Sequence, residues 1–276
     1  MARAPDWLIY GGILAAAVTA SLMTSGRADA PPAPPVAGEE ELGAFLGPVT
    51  PFDPTVVVEA PATPAQPTTG TAFAVSGEGV WMTARHVVEG CARPALIVGG
   101  SRAVSADVRL SRRTDVAILL TEGGPDPLPV SERGRRLRVG QAAYHPGYPQ
   151  GRPGEATSRL IGRETLHVRG RGQRDEPVLA WAEIGRTEGL VGTLGGLSGG
   201  PALDGQGRVM AVTIAEAPRR GRIYTTAIES LTQAAGELEL EGEYARGAVL
   251  SRTNYGTVAD EMRRDLRVAQ VVCLPG

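Results

Sequence analysis

The sequence contains no lysine: all 28 of its Lys+Arg residues are arginine, set against 30 Asp+Glu for a formal net charge of −2 over 276 residues. Without a basic excess the chain lacks the electrostatic footprint of a nucleic-acid binder, and no such partner is expected. Aromatic residues make up only 4%, so the core must come from Val, Leu, Ile and Ala. Two cysteines, Cys91 and Cys273, and three histidines, His86, His145 and His167, are too few and too widely spaced to hold a metal. Neither a metal nor any other cofactor is expected. The cysteines fit one disulfide in an oxidising compartment or two buried thiols. At 42% hydrophobic the chain has material for a core, which excludes disorder throughout. Gly 37 and Pro 22 favour turns and short strands over long helices.

One long uncharged run stands out, from Trp7 to Gly26 between Asp6 and Arg27. It is about long enough to cross a bilayer as a helix. Residues 1–30 are therefore expected to form a membrane anchor, with a cleaved signal peptide as the alternative. The one small-x-small site, Ala28-Asp29-Ala30, is followed by Pro31, which disfavours cleavage. Either way the rest of the chain is expected to be exported, held in the bacterial periplasm by a single-pass inner-membrane anchor or left periplasmic or secreted after cleavage, and the cysteines gain an oxidising setting. Residues 31–69 form a linker in this reading, since ten of the 22 prolines lie between Pro31 and Gly70 and such segments stay extended. The run Thr55-Val56-Val57-Val58 within it can be an edge strand or a docked segment.

Beyond Thr69 short apolar runs alternate with Gly, Pro and Asp: 70–75, 80–83, 95–98, 106–110, 116–120, 141–144, 178–184, 208–214 and 223–227. This spacing predicts an all-β barrel or sandwich. Only 84–90, 229–238 and 257–267 read as helices.

Three motifs carry chemistry. Thr83-Ala84-Arg85-His86-Val87-Val88 places a histidine where an apolar run becomes a helical turn, and Thr114-Asp115-Val116-Ala117-Ile118-Leu119 places an aspartate at the mouth of an apolar strand. Each alone is ordinary: a packed histidine, a turn aspartate. In Gly196-Leu197-Ser198-Gly199-Gly200-Pro201, glycines let the backbone turn tightly and present N–H groups beside a serine oxygen. This stretch also matches G-x-S-x-G, the nucleophile elbow of α/β-hydrolases, but those enzymes place acid and histidine after the serine. No histidine follows Ser198. The order here, His then Asp then Ser at separations of 29 and 83 residues, is that of the chymotrypsin architecture.

From about Gly70 to Leu231 the chain resembles a trypsin-like serine peptidase of the bacterial HtrA/Deg type. The matching stretches are GTAFAVSGEGVWMTARHVV, RRTDVAILL, GLSGGPALDGQGRVMAV and YTTAIESL. The resemblance implies two six-stranded antiparallel β-barrels, a short helix after the last strand, and a peptidase domain over residues 70–235. It implies His86 as general base, Asp115 as its orienting carboxylate and Ser198 as nucleophile, with the N–H groups of Gly196 and Ser198 as an oxyanion hole. It also implies a substrate pocket at Gly192 and along Val212, Thr213 and Ile214, none of them acidic, so small or medium apolar side chains are favoured over Arg or Lys. The substrate would be a protein or peptide.

Two departures from the family pattern bear on function. Leu197 stands where HtrA proteins have Asn, which leaves open an oxyanion loop that is collapsed at rest and opened by substrate or a partner. After Leu231 only 45 residues remain, about half of a PDZ domain, so residues 236–276 are expected to be an extension packed on the peptidase. Cys273 in that extension can bond Cys91, five residues after His86. His145 is expected to be an exposed imidazole in a turn and His167 to be structural. The alternative readings are a catalytically silent domain that binds peptides by adding a strand to its groove, and an esterase using the same three residues.

Overall fold

A computed structural model describes residues 42–60, 69–99, 102–131, 136–170, 173–237 and 247–274. The apolar 7–26 run lies outside the described residues, and among those described no helix is long and apolar enough to cross a membrane. The strands are β1 (Thr55–Ala60), β2 (Thr69–Ser76), β3 (Val80–Ala84), β4 (Arg93–Ile97), β5 (Ala103–Ser105), β6 (Asp107–Leu110), β7 (Val116–Leu120), β8 (Ala142–Gly147), β9 (Gly154–Gly170), β10 (Arg174–Arg186), β11 (Pro201–Leu203), β12 (Val209–Ala217), β13 (Arg222–Thr226) and β14 (Val268–Leu274). The helices are α1 (Arg85–Val88), α2 (Ile228–Glu237) and α3 (Tyr255–Arg264).

They form two seven-stranded sheets. One runs β5-β4-β14-β2-β3-β7-β6. β5 and β6 are separated by Ala106 alone, so one bent strand pairs with β4 at its first half and β7 at its second. Six strands thus encircle the first barrel, which removes exposed sheet edges. The second sheet runs β1-β9-β10-β13-β12-β11-β8, and an additional β9–β8 pairing closes six of these into a barrel. β1 is the extra strand, paired in parallel with the far half of β9 from Thr165 to Gly170.

The all-β expectation holds, but two features differ from it. β9 and β10 form a hairpin of 17 and 13 residues, whereas hydropathy marks only 178–184. Most of β9 escapes that reading because Glu155, Glu164 and Arg163 are paired rather than replaced by apolar residues: with Arg263, Arg222 and Glu229 respectively. The other difference is in the first barrel, where β14 lies between β2 and β4 and hydrogen-bonds to both. The Cys91–Cys273 disulfide joins β14 to the segment just after α1. Residues 42–47, within the Pro-rich stretch, run along the second barrel, with Gly43 N donating to Val139 O at 2.9 Å and Leu46 N to Leu137 O at 2.8 Å.

Apolar side chains fill both barrels. Phe73, Leu96, Ile118, Leu119 and Val268 are buried in the first, and a second cluster gathers Leu137, Leu160, Leu179, Trp181, Leu194, Leu197, Met210 and Ile223. Leu197 is 1% exposed, so a residue of the glycine-rich loop is itself anchored in the second barrel.

Candidate active site

His86 enters the site because β3 ends at Ala84 and the chain turns at once into α1. Asp115 precedes β7, which pairs with β3, so the ladder Ala84↔Val116 brings the two residues together. His86 Nδ1 lies 2.7 Å from Asp115 Oδ2, and the His86 backbone N–H donates to Asp115 Oδ1 at 3.0 Å. Arg85 N also donates to Asp115 O at 3.1 Å. The Asp115 side chain is 2% exposed, whereas that of His86 is 41% exposed; the imidazole thus offers its Nε2 edge outward. Burial opposes the imidazolium, but the charge and hydrogen bond of Asp115 outweigh it and raise the His86 pKa. Burial likewise opposes the Asp115 carboxylate, yet His86 and Arg174 hold its pKa below the ordinary value.

The glycine-rich loop is fixed atom by atom. Leu194 N donates to the Glu216 carboxylate at 2.8 Å and Gly195 N to Thr193 Oγ1 at 2.9 Å. Leu197 N donates to Leu194 O, Gly199 N to Thr213 O and Gly200 N to Leu197 O, at 2.9, 2.7 and 2.9 Å. Of the seven N–H groups from Leu194 to Gly200, only those of Gly196 and Ser198 have no acceptor among the described residues. The carbonyl of Gly195 accepts from Gln150 N at 2.5 Å, and in a trans peptide the N–H of Gly196 points the opposite way. Gly196 has φ +96, and a Cβ there would lie 2.5 Å from Tyr148 O. Its own carbonyl accepts from Thr71 Oγ1 at 2.8 Å. The loop backbone is thus held in one conformation by these bonds, with Leu197 packed into the second barrel.

β2 sets the Ser198 backbone beside α1, the helix that carries the histidine. Its carbonyl accepts from Thr71 N at 2.8 Å. A Cβ at Gly70 would touch both Ser198 O at 3.0 Å and Val87 Cγ1 at 2.6 Å. Gly199, at φ +88, presses so closely on the end of β3 that a Cβ would lie 2.1 Å from Thr71 O and 2.9 Å from Ala84 N. No hydrogen bond joins Ser198 Oγ to His86; such bonds are often long before substrate binds.

The other expected residues lie as follows. Gly192 is exposed in the approach to the loop, with its carbonyl accepting from Arg186 Nη1 at 2.8 Å. Val212, Thr213 and Ile214 are buried. Thr213 does not turn its side chain to a pocket: its Oγ1 lies 3.1 Å from His145 Nδ1, and its backbone holds Gly199 and Gly200. His145 is not the exposed turn imidazole that was expected. It sits inside β8, fully buried, with Nε2 2.7 Å from Ser158 Oγ, and burial pushes its pKa down to about 3. A neutral core histidine results. His167 lies on β9 with Nδ1 against Asp175. Four residues at the site were not foreseen: Gln150, Glu216, Arg174 and Glu176. The last two carry only the i, i+2 spacing of a strand face, which in sequence looks like a solvated polar edge.

The chain is similar to several known proteins. A family model for a trypsin-like peptidase domain matches residues 70–212. HhoB of Synechocystis sp., which bears a serine-protease name, is 28% identical over 213 residues, covering 75% of this chain and 48% of its own length. The chain thus spans about half the length of that relative. Among solved structures, the Rv3671c protease of M. tuberculosis in its inactive form has a TM-score of 0.50 at 22% identity, over 62% of this chain and 84% of that one. The HtrA-type protease AlgW with a decapeptide has a TM-score of 0.47 at 17% identity, over 65% and 54%.

Proposed function

The chain belongs to the trypsin-like peptidase family, and on that premise we propose that it is a serine endopeptidase hydrolysing protein or peptide substrates through an acyl-enzyme. The observation that carries this reading is the pair of backbone N–H groups, Gly196 and Ser198, with no acceptor among the described residues, in a loop whose other backbone N–H groups are engaged. Such donors stabilise the oxyanion of a tetrahedral intermediate by roughly 2.7–4 kcal/mol each.

In this mechanism Ser198 Oγ attacks the scissile carbonyl while His86 Nε2 takes its proton. Asp115, at 2.7 Å from Nδ1, keeps the imidazole in the tautomer that leaves Nε2 free to accept, and it stabilises the imidazolium that forms. His86 then gives the proton to the leaving amine, and a water repeats the sequence on the acyl-enzyme. The raised His86 pKa strengthens the base at the cost of protonation under mildly acidic conditions, so activity rises with pH through a value above 6.5.

The missing Ser198–His86 hydrogen bond favours a second reading, in which a partner or substrate completes the alignment. One experiment separates the two: reaction of the full chain with a fluorophosphonate probe beside Ser198→Ala and His86→Ala. The expected outcome is labelling of the unaltered chain, lost in both variants. A folded chain that stays unlabelled overturns the resting-active reading. We further propose export, with the 7–26 run as the anchor; membrane fractionation of the full chain checks it.

A further inference from the structure

Behind the His86–Asp115 pair lies a second layer that the mechanism above does not use. Asp115 Oδ2 faces His86 Nδ1, while Oδ1 accepts from the His86 N–H at 3.0 Å and pairs with Arg174 Nη2 at 2.8 Å. The Asp115 backbone N–H donates to Glu176 Oε2 at 2.7 Å. Arg174 Nε lies 3.5 Å from that same Glu176 oxygen. The Glu176 side chain is 1% exposed, and its other oxygen, Oε1, is buried without a hydrogen-bond partner among the described residues. Arg174 and Glu176 project from one face of β10; Asp175 between them points to the other face and meets His167.

We propose that Arg174 and Glu176 are positioning residues for the His86–Asp115 pair: they lock the carboxylate toward Nδ1 and set how strongly its charge is felt at the imidazole. This deepens the peptidase reading and rests on it for its catalytic meaning. A buried carboxylate is a two-fold rotor, and its orientation is fixed only if both oxygens are engaged. Arg174 and the His86 N–H engage Oδ1, which leaves Oδ2 for the ring. Arg174 also offsets part of the Asp115 charge felt at the imidazole. Ionised Glu176 restores a net charge of −1 to the trio, whereas protonated Glu176 leaves it neutral. Burial and the neighbouring Asp115 push Glu176 up to about 7, so its charge changes in the range where His86 works.

The other charges facing the site come from each packed element. Glu89, just after α1, adds to the support of imidazolium and is itself held by Arg85 at 2.5 Å. Arg85 Nη1 reaches Ser111 O at 2.9 Å, and Ser111 Oγ donates to Glu237 at the end of α2. None of these touches Asp115 with a side chain; besides His86, the side chains that do are those of Arg174 and Glu176.

The test is a titration of His86 in the full chain by NMR of isotope-labelled histidine, with the His86 signal assigned by its loss in His86→Ala. Fluorophosphonate labelling against pH is followed in parallel. Arg174→Gln is expected to raise the His86 pKa by about one unit, Arg174→Lys to leave it near the unaltered value, and Glu176→Gln to lower it by about half a unit. A His86 titration that stays in place in folded Arg174→Gln and Glu176→Gln overturns the proposal. Should Arg174→Gln not fold, Glu176→Gln alone decides: a downward move supports the proposal and no move overturns it. If the titration moves as expected but the chain never labels, the positioning role stands and the peptidase reading fails; labelling with an unmoved titration has the reverse meaning.

Discussion

Glu176 illustrates how one buried side chain ties stability to pH. Its pKa is raised to about 7 in the folded protein from an ordinary 4.5. Between those values the folded chain holds a proton that the unfolded chain has lost, so stability falls as pH rises through this window and levels off above it. The loss amounts to as much as about 3 kcal/mol. Glu176→Gln keeps an acceptor for the Asp115 N–H and removes the titration. Its melting temperature should therefore decline less than that of the parent between pH 5 and 8, and parallel melting curves across that range would refute the assignment. Leu197 makes a separate claim at this scale. Being 1% exposed among Leu137, Leu160, Leu194 and Met210, it should cost about 2–4 kcal/mol when cut to alanine. The resulting slack in the loop should slow fluorophosphonate labelling even where the variant remains folded at low temperature.

Among the elements, β14 carries the most weight relative to its length. It supplies one of the six strands of the first barrel and lies between β2 and β4 in antiparallel register. β2 in turn presents Thr71, whose N–H and hydroxyl hold Ser198 O and Gly196 O. A seven-residue strand, Val268–Leu274, thus supports the loop that holds Ser198. The Cys91–Cys273 disulfide closes a separation of 182 residues, and a cross-link of that span restricts the unfolded chain strongly. Replacing both cysteines with serine should cost about 2–5 kcal/mol. A melting temperature insensitive to that change, or to reductant, would show that β14 holds its place by pairing alone.

At the scale of the whole molecule, the path from α2 through α3 to β14 joins the two barrels. α3 packs on β8 and β9 of the second barrel, after which the chain crosses into the first as β14. Arg263 fastens this strap: its Nη2 lies 2.8 Å from Glu155 Oε2, both side chains being at most 7% exposed, and its Nη1 reaches Gly154 O at 3.1 Å. Arg263→Met leaves Glu155 buried without its cation and should cost about 3–5 kcal/mol. Adding Glu155→Gln should recover part of that loss, which a double-mutant cycle in urea would measure. Gly154 follows the turn at Tyr148–Gly151 that backs the glycine-rich loop, so the single variant should also lower the rate of labelling.

Much of this was legible in the residues themselves. Turn-bounded apolar runs give the all-β class because a strand needs only a local alternation and a stop. The His86, Asp115 and Ser198 motifs could be identified because their chain order and flanking glycines separate them from the α/β-hydrolase alternative. Other properties depend on distant contacts that leave no local trace. Thr213, Arg174 and Glu176 read as ordinary strand residues, and only the closed barrels decide that one braces the loop while two stand behind Asp115. His145 has the sequence surroundings of an exposed turn, yet β8, β9 and β12 enclose it. Hydropathy could not reveal β9, since its charged residues are neutralised by partners on β13, α2 and α3. The sequence by itself determined the strand class and the three motifs that make His86, Asp115 and Ser198 candidates, which are local properties of residue type and spacing. The tertiary structure decided which polar groups are buried and paired, and with them the charge and orientation of the site, because those depend on residues that meet only after the chain has closed.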